Sequence, residues 1–403
     1  MPRSTQSAGR CPVTFPSPRD DNYAPPSAYR PQGSDGRPFE VELAYGGKAW
    51  LVTRHSDIRT LLSDSRLSAD ARLEGFPMVP LSHNEQRPGF FLSMDPPEHG
   101  HIRSLLNREF SATAVAARRP MIAGHIDRLL SRMTSQGRSA DLVTAFADRL
   151  PCHVSGSLFG VVGDDEDWVR QCIEARATHD KSMARRLAAG ERMHRFLSEL
   201  VAVKQREPAD DLLSRLVARA EEGEVTIEEV VGMATLILAA SLDATSALTT
   251  LTVLSVLRDE ESTARMKSDP ARWVRPCVEE SLRYWTVIQH GPLRVAAADI
   301  EIAGRRIRRG DPVMLHLHSA NWDAEVFDHP ETFDVDRDNS HHLAFGYGVH
   351  RCLGAGLGQA EATAAVETLF TRLPGLRLDA SPDDLAYRSE DLVYNVRSLP
   401  VCW

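Results

Sequence analysis

One stretch near the C-terminus constrains the structure of this chain most strongly: Phe345-Gly346-Tyr347-Gly348-Val349-His350-Arg351-Cys352-Leu353-Gly354, hereafter the cysteine loop. Its glycines allow the backbone to fold tightly and to bring N–H groups towards the sulfur of Cys352. The cationic neighbours His350 and Arg351 are expected to lower the pKa of the thiol. Residues 355–369 predict a helix, so Cys352 also lies near a helix N-terminus, where negative charge is favoured. The loop is therefore expected to hold a thiolate.

The composition of the 403 residues, 42% hydrophobic and 26% charged, is typical of a soluble globular protein. A net charge of −9 without a basic run argues against nucleic acid as a partner. Cysteines at positions 11, 152, 172, 277, 352 and 402 form no C-x-x-C pair, which favours a reduced, cytoplasmic setting over disulfides or zinc. Residues 1–31, rich in Pro, Ser and Arg, predict a flexible N-terminus that is neither a signal peptide nor a membrane anchor.

The pattern of apolar residues predicts a mainly α chain with a small β region. Residues 98–219 have a helical pattern, with breaks predicted at Pro120, Gly137, Pro151, Gly163 and Pro208. A capping-box pattern at Thr226 opens an apolar helix that is predicted to run to Leu257. Polar residues at 241, 243, 245 and 246 interrupt this helix, which indicates a buried central helix and not a membrane span.

The β region is predicted at residues 48–53 and 294–317, with a hairpin at 300–307. His316 and His318 alternate on the last predicted strand and would face one side of it. Residues 73–91 contain three prolines and two glycines among apolar side chains and predict a long functional loop.

Several motifs, in order along the chain, resemble the cytochrome P450 family. The cysteine loop is similar to the family's heme-ligand signature, in which a cysteine thiolate binds the iron. The resemblance covers residues 52–403 and implies one helix-rich, prism-shaped domain at 32–403, with a long central helix and a buried heme b. It is closest to the soluble, actinobacterial-type branch of the family.

The same resemblance implies which residues bind the heme. Cys352 would be the iron ligand, and four basic residues would bind the two propionates. Among them, His99 and Arg103 lie in the segment 94–103, at i and i+4 on one helical face. The full set of predicted heme-binding residues is His99, Arg103, Arg294, Phe345, His350, Cys352 and Gly354.

Glu280 and Arg283 form an E-x-x-R pair, which on its own is an ordinary i, i+3 surface ion pair. The resemblance implies that the pair is buried behind the heme and joined by Arg337. The three are then expected to form a structural clamp for the cysteine loop, without a role in acid–base catalysis.

The central helix departs from the family pattern, which is small–Gly–x–acid–Thr–Thr. Asp243 aligns with the acid, Ala244 with the first threonine and Ser241 with the glycine, whereas a register shifted by one would place Thr245 on that threonine. In typical members the acid and threonine deliver protons to bound dioxygen. Two accounts stay open. In the first, Thr245 or Ser241 supplies the hydroxyl. In the second, the substrate supplies it, or the chemistry is atypical, such as oxidative coupling, nitration or nitric-oxide reduction.

The resemblance implies a monomeric, cytoplasmic monooxygenase that oxidises a small, mostly apolar specialised metabolite with dioxygen and two electrons. Because the chain holds no reductase domain, electrons are expected from a separate ferredoxin and ferredoxin reductase. The predicted substrate pocket contains Phe90, Phe91, Ile288, Gln289, His290, Val393 and Tyr394.

A heme-binding protein without turnover, such as a sensor, stays open. A nucleotide-binding protein is disfavoured because the glycines of the cysteine loop lack an opening βαβ unit. No G-x-S-x-G motif suggests a hydrolase.

Overall fold

A computed structural model of the chain describes residues 13–29, 36–44, 46–77, 87–161, 166–176 and 183–403. The helices are α1 (His55–Leu61), α2 (Glu98–Asn107), α3 (Ala112–Ser135), α4 (Leu150–Leu158), α5 (Glu166–Arg176), α6 (Met183–Arg206), α7 (Leu212–Glu221), α8 (Ile227–Leu257), α9 (Glu260–Ser268), α10 (Pro270–Trp285), α11 (Leu317–Asn321) and α12 (Ala355–Arg372). The strands are β1 (Thr14–Phe15), β2 (Phe39–Leu43), β3 (Lys48–Val52), β4 (Leu67–Ser68), β5 (Ser139–Asp141), β6 (Leu293–Ala296), β7 (Ile300–Ile302), β8 (Arg305–Ile307), β9 (Pro312–Leu315), β10 (Arg377–Leu378) and β11 (Pro400–Cys402). The prediction of a mainly α chain with a small β region is confirmed.

Helix α8 is the central element, and α4, α6, α7, α10 and α12 all pack against it. The predicted capping box is present: the Thr226 hydroxyl accepts from the N–H of Glu229 at 3.1 Å, and the Glu229 carboxylate accepts from the N–H of Thr226 at 2.7 Å. Among the described residues, α8 is long and apolar enough to cross a membrane, but 72% of its most apolar window is buried inside the fold. This burial is typical of the core helix of a globular protein, as predicted.

The strands form three sheets beside the helices. The largest has the order β1-β2-β3-β9-β6-β4, a second has the order β10-β11-β5, and β7 and β8 form the predicted hairpin. The last strand of the large sheet ends at Leu315, earlier than predicted. His316 caps α11 and His318 lies inside it, so these histidines do not alternate on a strand.

Two of the breaks predicted in the helical pattern are at Pro120 and Gly163. Pro120 does not break the chain but lies inside α3. It is exposed, as is Ala116 one turn earlier, so water can bond the carbonyl that loses its helical donor. Gly163 lies outside the described residues.

Residues 13–29 are not a flexible lead. Strand β1 pairs with β2, and Phe15 and Tyr29 are buried and stack with ring centroids 5.7 Å apart. Tyr23 packs against Trp285 of α10 at 5.6 Å. The Pro- and Ser-rich composition concealed the apolar surface that these aromatic rings bury, and the expected flexibility is wrong for this part of the N-terminus. The domain boundary at residue 32 remains a prediction.

Candidate active site

The cysteine loop folds as a tight turn between residue 343 and α12. Cys352 donates its N–H to the carbonyl of Phe345 at 2.8 Å, which closes the loop. Gly346 and Gly348 have φ values of 68° and 71°, in the left-handed region that favours glycine. A Cβ at Gly348 would lie 2.5 Å from the carbonyl oxygen of Leu62. Any larger residue at 348 would therefore displace the loop from the end of α1.

Cys352 differs from the other described cysteines, which are buried, because its side chain is accessible. Desolvation by the surrounding protein nevertheless raises the pKa of its thiol, and this effect outweighs the N–H groups of Gly354 and Ala355 and the charges of Arg103 and Arg351. Arg351 acts in the expected direction, but the pKa of the thiol in the protein alone is raised and not lowered, because desolvation is the larger effect. A metal cation bonded directly to the sulfur would remove the proton.

Four basic side chains, hereafter the basic cluster, converge beside the cysteine loop: His99, Arg103, Arg294 and His350. The imidazole rings of His99 and His350 lie 4.0 Å apart. Burial, followed by the arginine charges, lowers the pKa of His99 to about 4 and that of His350 to about 2. The Nε2 atom of His99 is buried without a hydrogen-bond partner. A buried nitrogen without a hydrogen-bond partner, close to the positive charges of Arg103 and Arg294, fits an anionic group such as the two heme propionates.

The central helix is accessible along one short stretch near its middle. Ala239 and Ala240 are exposed, although α8 is buried along most of its length, and Asp243 and Ala244 are half-buried. Thr245 is 7% exposed and its hydroxyl faces Gly358 of α12. Ala244, and not Thr245, therefore shares the accessible face with Ala240, one turn earlier. This arrangement agrees with the register that aligns Ala244 with the family's first threonine.

Ser241 does not offer a free hydroxyl donor on this face. Its Oγ donates to the carbonyl of Leu238, three residues earlier, at 3.0 Å. This intrahelical bond is the usual alternative for a serine inside a helix.

The predicted clamp residues come together. Glu280 and Arg283 are fully buried and form a bidentate pair, with Nε–Oε2 and Nη2–Oε1 distances of 2.8 and 2.6 Å. Arg337 lies 3.4 Å from the same carboxylate. The Nη1 of Arg283 also donates to the carbonyl of Asn321 at 3.0 Å.

Asn321 connects this ion-pair cluster to the cysteine loop. Its side-chain oxygen accepts from the N–H of Leu343 at 2.6 Å, two residues before Phe345. The neighbouring Trp322 donates its indole N–H to the carbonyl of Tyr284 at 2.8 Å and so helps to end α10. Sequence reasoning assigned no role to either residue, because both act through backbone atoms distant in sequence.

The predicted pocket residues fall into three groups. Phe90 and Phe91 are buried in the cluster that contains Leu236 and Ile237 of α8, next to the exposed alanines. Ile288 and Val393 pair with each other in an isolated β-bridge. Phe90 and Phe91 are thus the predicted pocket residues that lie beside the accessible face of α8.

Gln289, His290 and Tyr394 make their contacts elsewhere. The Gln289 amide donates to the carbonyls of residues 388, 389 and 391, and the His290 ring lies 5.7 Å from that of Phe15. Tyr394 stacks on Trp285 and donates its hydroxyl to the carbonyl of Asn22. These side chains anchor the segments at 388–391 and 13–29, and their place in the substrate pocket stays a prediction.

A loop that presents an accessible cysteine, a basic cluster suited to two carboxylates and an opened central helix define a heme-thiolate protein. Among the described residues, no group of three or more His, Cys, Asp or Glu side chains could hold a metal ion.

Comparisons with known proteins agree with this class. The family model "Cytochrome P450" matches residues 170–374. Cytochrome P450-SU2 of Streptomyces griseolus is 40% identical over 89% of this chain and 88% of its own length. Pentalenic acid synthase of Streptomyces avermitilis is 38% identical over 97% of this chain and 98% of its own length. The crystal structure of cytochrome P450 MoxA from Nonomuraea recticatena superposes with a TM-score of 0.90, at 35% identity, covering 97% of this chain and 98% of that one.

The chain belongs to the cytochrome P450 family, and it has the P450 fold. Its relatives are actinobacterial members of the family, and it is an oxygenase-type enzyme. Heme b is the cofactor of this family.

Proposed function

We propose that this protein is a cytoplasmic, monomeric monooxygenase that transfers one oxygen atom of dioxygen to a small, mostly apolar specialised metabolite. The heme would supply the activation of dioxygen once two electrons have been delivered. Support comes from the relatives, of which one is named for the formation of pentalenic acid. The apolar side chains of Phe90, Phe91 and Ala240 beside the accessible face of α8 also suit an apolar substrate.

We propose that Cys352 ligates the iron and that the basic cluster binds the propionates. The N–H groups of Gly354 and Ala355 point at the sulfur and would stabilise its negative charge once the thiol has lost its proton. His99 would gain a partner for its unsatisfied Nε2. The ion-pair cluster would hold the loop in place through Asn321.

The proposal about proton delivery rests on the face of α8 that contains Ala240 and Ala244. The Ser241 hydroxyl is bonded within the helix and Thr245 faces α12, so no threonine or serine of residues 240–245 presents a hydroxyl donor on this face. Asp243 remains as the acid beside it. We infer that a hydroxyl of the substrate, or a water held by the substrate, completes proton delivery together with Asp243.

The experiment is a screen for compounds that shift the Soret band of the ferric protein to the high-spin form. Substrates that retain coupled turnover should carry a hydroxyl or another hydrogen-bond donor near the oxidised carbon. Matched analogues in which that group is replaced by hydrogen should still bind but should form little product. Equal product from both analogues would contradict the proposal.

We propose that the electron donor is a ferredoxin, reduced by its reductase, that docks on the surface of the cysteine loop. Val349 is 58% exposed at the tip of this loop, and Arg351 beside it is exposed. Arg59 lies over the ring of Tyr347 and donates to its hydroxyl at 3.3 Å, which adds a second charge to the same surface. An apolar centre flanked by positive charge complements an acidic ferredoxin.

A further inference from the structure

A small cavity of about 20 Å³ lies between the N-terminal segment 13–29 and the residues that flank β6 and β9. Its wall includes Ser17, Arg19, Gln289, His290, His316 and His318. The volume is enough for one water molecule or one monatomic ion, and it is too small for a multi-atom ligand.

Arg19 is the charged group of this wall. Its guanidinium lies 3.6 Å over the ring of Tyr394, and its Nη1 donates to the carbonyl of Tyr23 at 3.2 Å. Its Nη2 is buried and has no hydrogen-bond partner. The carboxylate of Asp21 accepts instead from the backbone N–H groups of Tyr23 and Ala24.

This environment is costly for a cation. Burial lowers the pKa of Arg19 to about 10, although Tyr394 and Asp21 act in the opposite direction. No ion pair joins Arg19 to a carboxylate among the described residues. A buried charge needs a partner, and a buried N–H without an acceptor adds a further penalty.

The histidines of the wall contribute donors but no charge. Burial lowers the pKa of His290 to about 4 and that of His316 to about 3, so both are neutral near pH 7. His316 accepts from the N–H of Ser319 with Nδ1, and His318 lies 3.0 Å from the carbonyl of Tyr284 with Nε2. The His290 ring makes no hydrogen bond to the described residues, so its N–H can point into the cavity.

We propose that the cavity binds one monovalent anion, chloride under physiological conditions, between the Arg19 guanidinium and the His290 ring. One positive charge, the unsatisfied Nη2 of Arg19 and space for one atom suit a halide. The anion would neutralise Arg19 and link the N-terminal segment to His290, whose neighbour Gln289 holds the backbone at 388–391. This role does not depend on the heme or on the proposed oxygenase reaction.

The direct test is a crystal of the heme-loaded protein soaked in bromide. An anomalous peak should lie within hydrogen-bond distance of Arg19 Nη2. Electron density in the cavity without an anomalous signal would identify a water molecule and would overturn the proposal.

The second test is thermal unfolding of the heme-loaded protein in chloride and in gluconate at equal ionic strength. Chloride should raise the melting temperature saturably, by about 2 °C. Arg19→Met should lose this rise, whereas Arg59→Met, which removes an arginine stacked on a surface tyrosine, should keep it. An equal rise in both variants would contradict the proposal. A bromide peak without saturable stabilisation would mean an adventitious ion only and would also contradict it.

Discussion

The two sides of the candidate heme site differ in how deeply their side chains are buried. On the side of the cysteine loop, Glu280 and Arg283 are fully buried. They bond to each other, to Arg337 and to backbone groups of Asn321 and Asp334. On the side of α8, Ala239 and Ala240 are exposed and Asp243 and Ala244 are half-buried. On the first side the ion-pair cluster is completed by protein groups, whereas the accessible face of the second side is open to a ligand. The first is therefore expected to define the cofactor and the second to define the substrate.

The largest effect is expected from the iron ligand on the first side. Cys352→Ser should abolish the strongly red-shifted Soret band of the reduced carbon-monoxide complex, because an alcohol does not donate charge as a thiolate does. Cys402→Ser, which changes a buried free cysteine in β11, should keep the band. Persistence of the band in Cys352→Ser would show that another residue ligates the iron.

A large loss of stability is expected when the ion-pair cluster is broken. Arg283→Ala leaves the buried Glu280 without its bidentate partner, which should lower the free energy of unfolding by about 3–5 kcal/mol. The matched control is Arg306→Ala, whose pair with Asp299 is exposed and screened by water, so this change should leave the free energy of unfolding nearly unaltered. Denaturant unfolding measures the free energy of unfolding of both variants. Equal losses would contradict the claim that the buried ion pair stabilises the fold more than the exposed one.

The basic cluster should govern heme retention more than folding. Removal of Arg103 and Arg294 together deletes charge-assisted hydrogen bonds, each contributing about 1.5–3 kcal/mol, so heme transfer to apomyoglobin should become at least about tenfold faster. Arg59→Ala is the control, since that arginine lies on Tyr347 outside the cluster. Unchanged heme transfer with unchanged helical content would count against the propionate assignment.

A smaller, kinetic effect is expected at the surface of the cysteine loop. Val349→Asp places a negative charge where an acidic ferredoxin is proposed to dock, so the rate of the first reduction should fall by about two- to tenfold, and less at high salt. Val203→Asp on α6 makes the same change at another exposed apolar residue. Stopped-flow reduction should separate the two variants, and equal rates would place the docking surface elsewhere.

The sequence specified the features that depend on local patterns. The capping box at Thr226, the hairpin at β7 and β8 and the glycine conformations of the cysteine loop are short-range consequences of residue type. The buried state of Glu280 and Arg283 is confirmed as well, but it was inferred from family resemblance and not from their spacing, which fits a surface pair equally well.

The features that the sequence concealed depend on distant contacts. Phe15 and Tyr29 are buried only because β1 reaches β2. Gln289 turns to backbone carbonyls about a hundred positions later in the chain. The pKa of Cys352 is set mainly by desolvation, which the adjacent cationic residues do not reveal. Each of these outcomes depends on which distant residues pack against the site, and a local sequence motif does not contain that information.

The central claim is that no serine or threonine of residues 240–245 presents a hydroxyl donor on the face of α8 at Ala244, and that the substrate supplies this donor. The decisive measurement is coupling, the product formed per reduced nicotinamide consumed, in the native protein, Ala244→Thr and Thr245→Ala. Thr245→Ala should leave coupling nearly unchanged, because that hydroxyl faces Gly358. Ala244→Thr should lower coupling on the native substrate and raise it on an analogue without the hydroxyl. Loss of coupling in Thr245→Ala, together with no effect of Ala244→Thr, would show that Thr245 is the working donor and would contradict the claim.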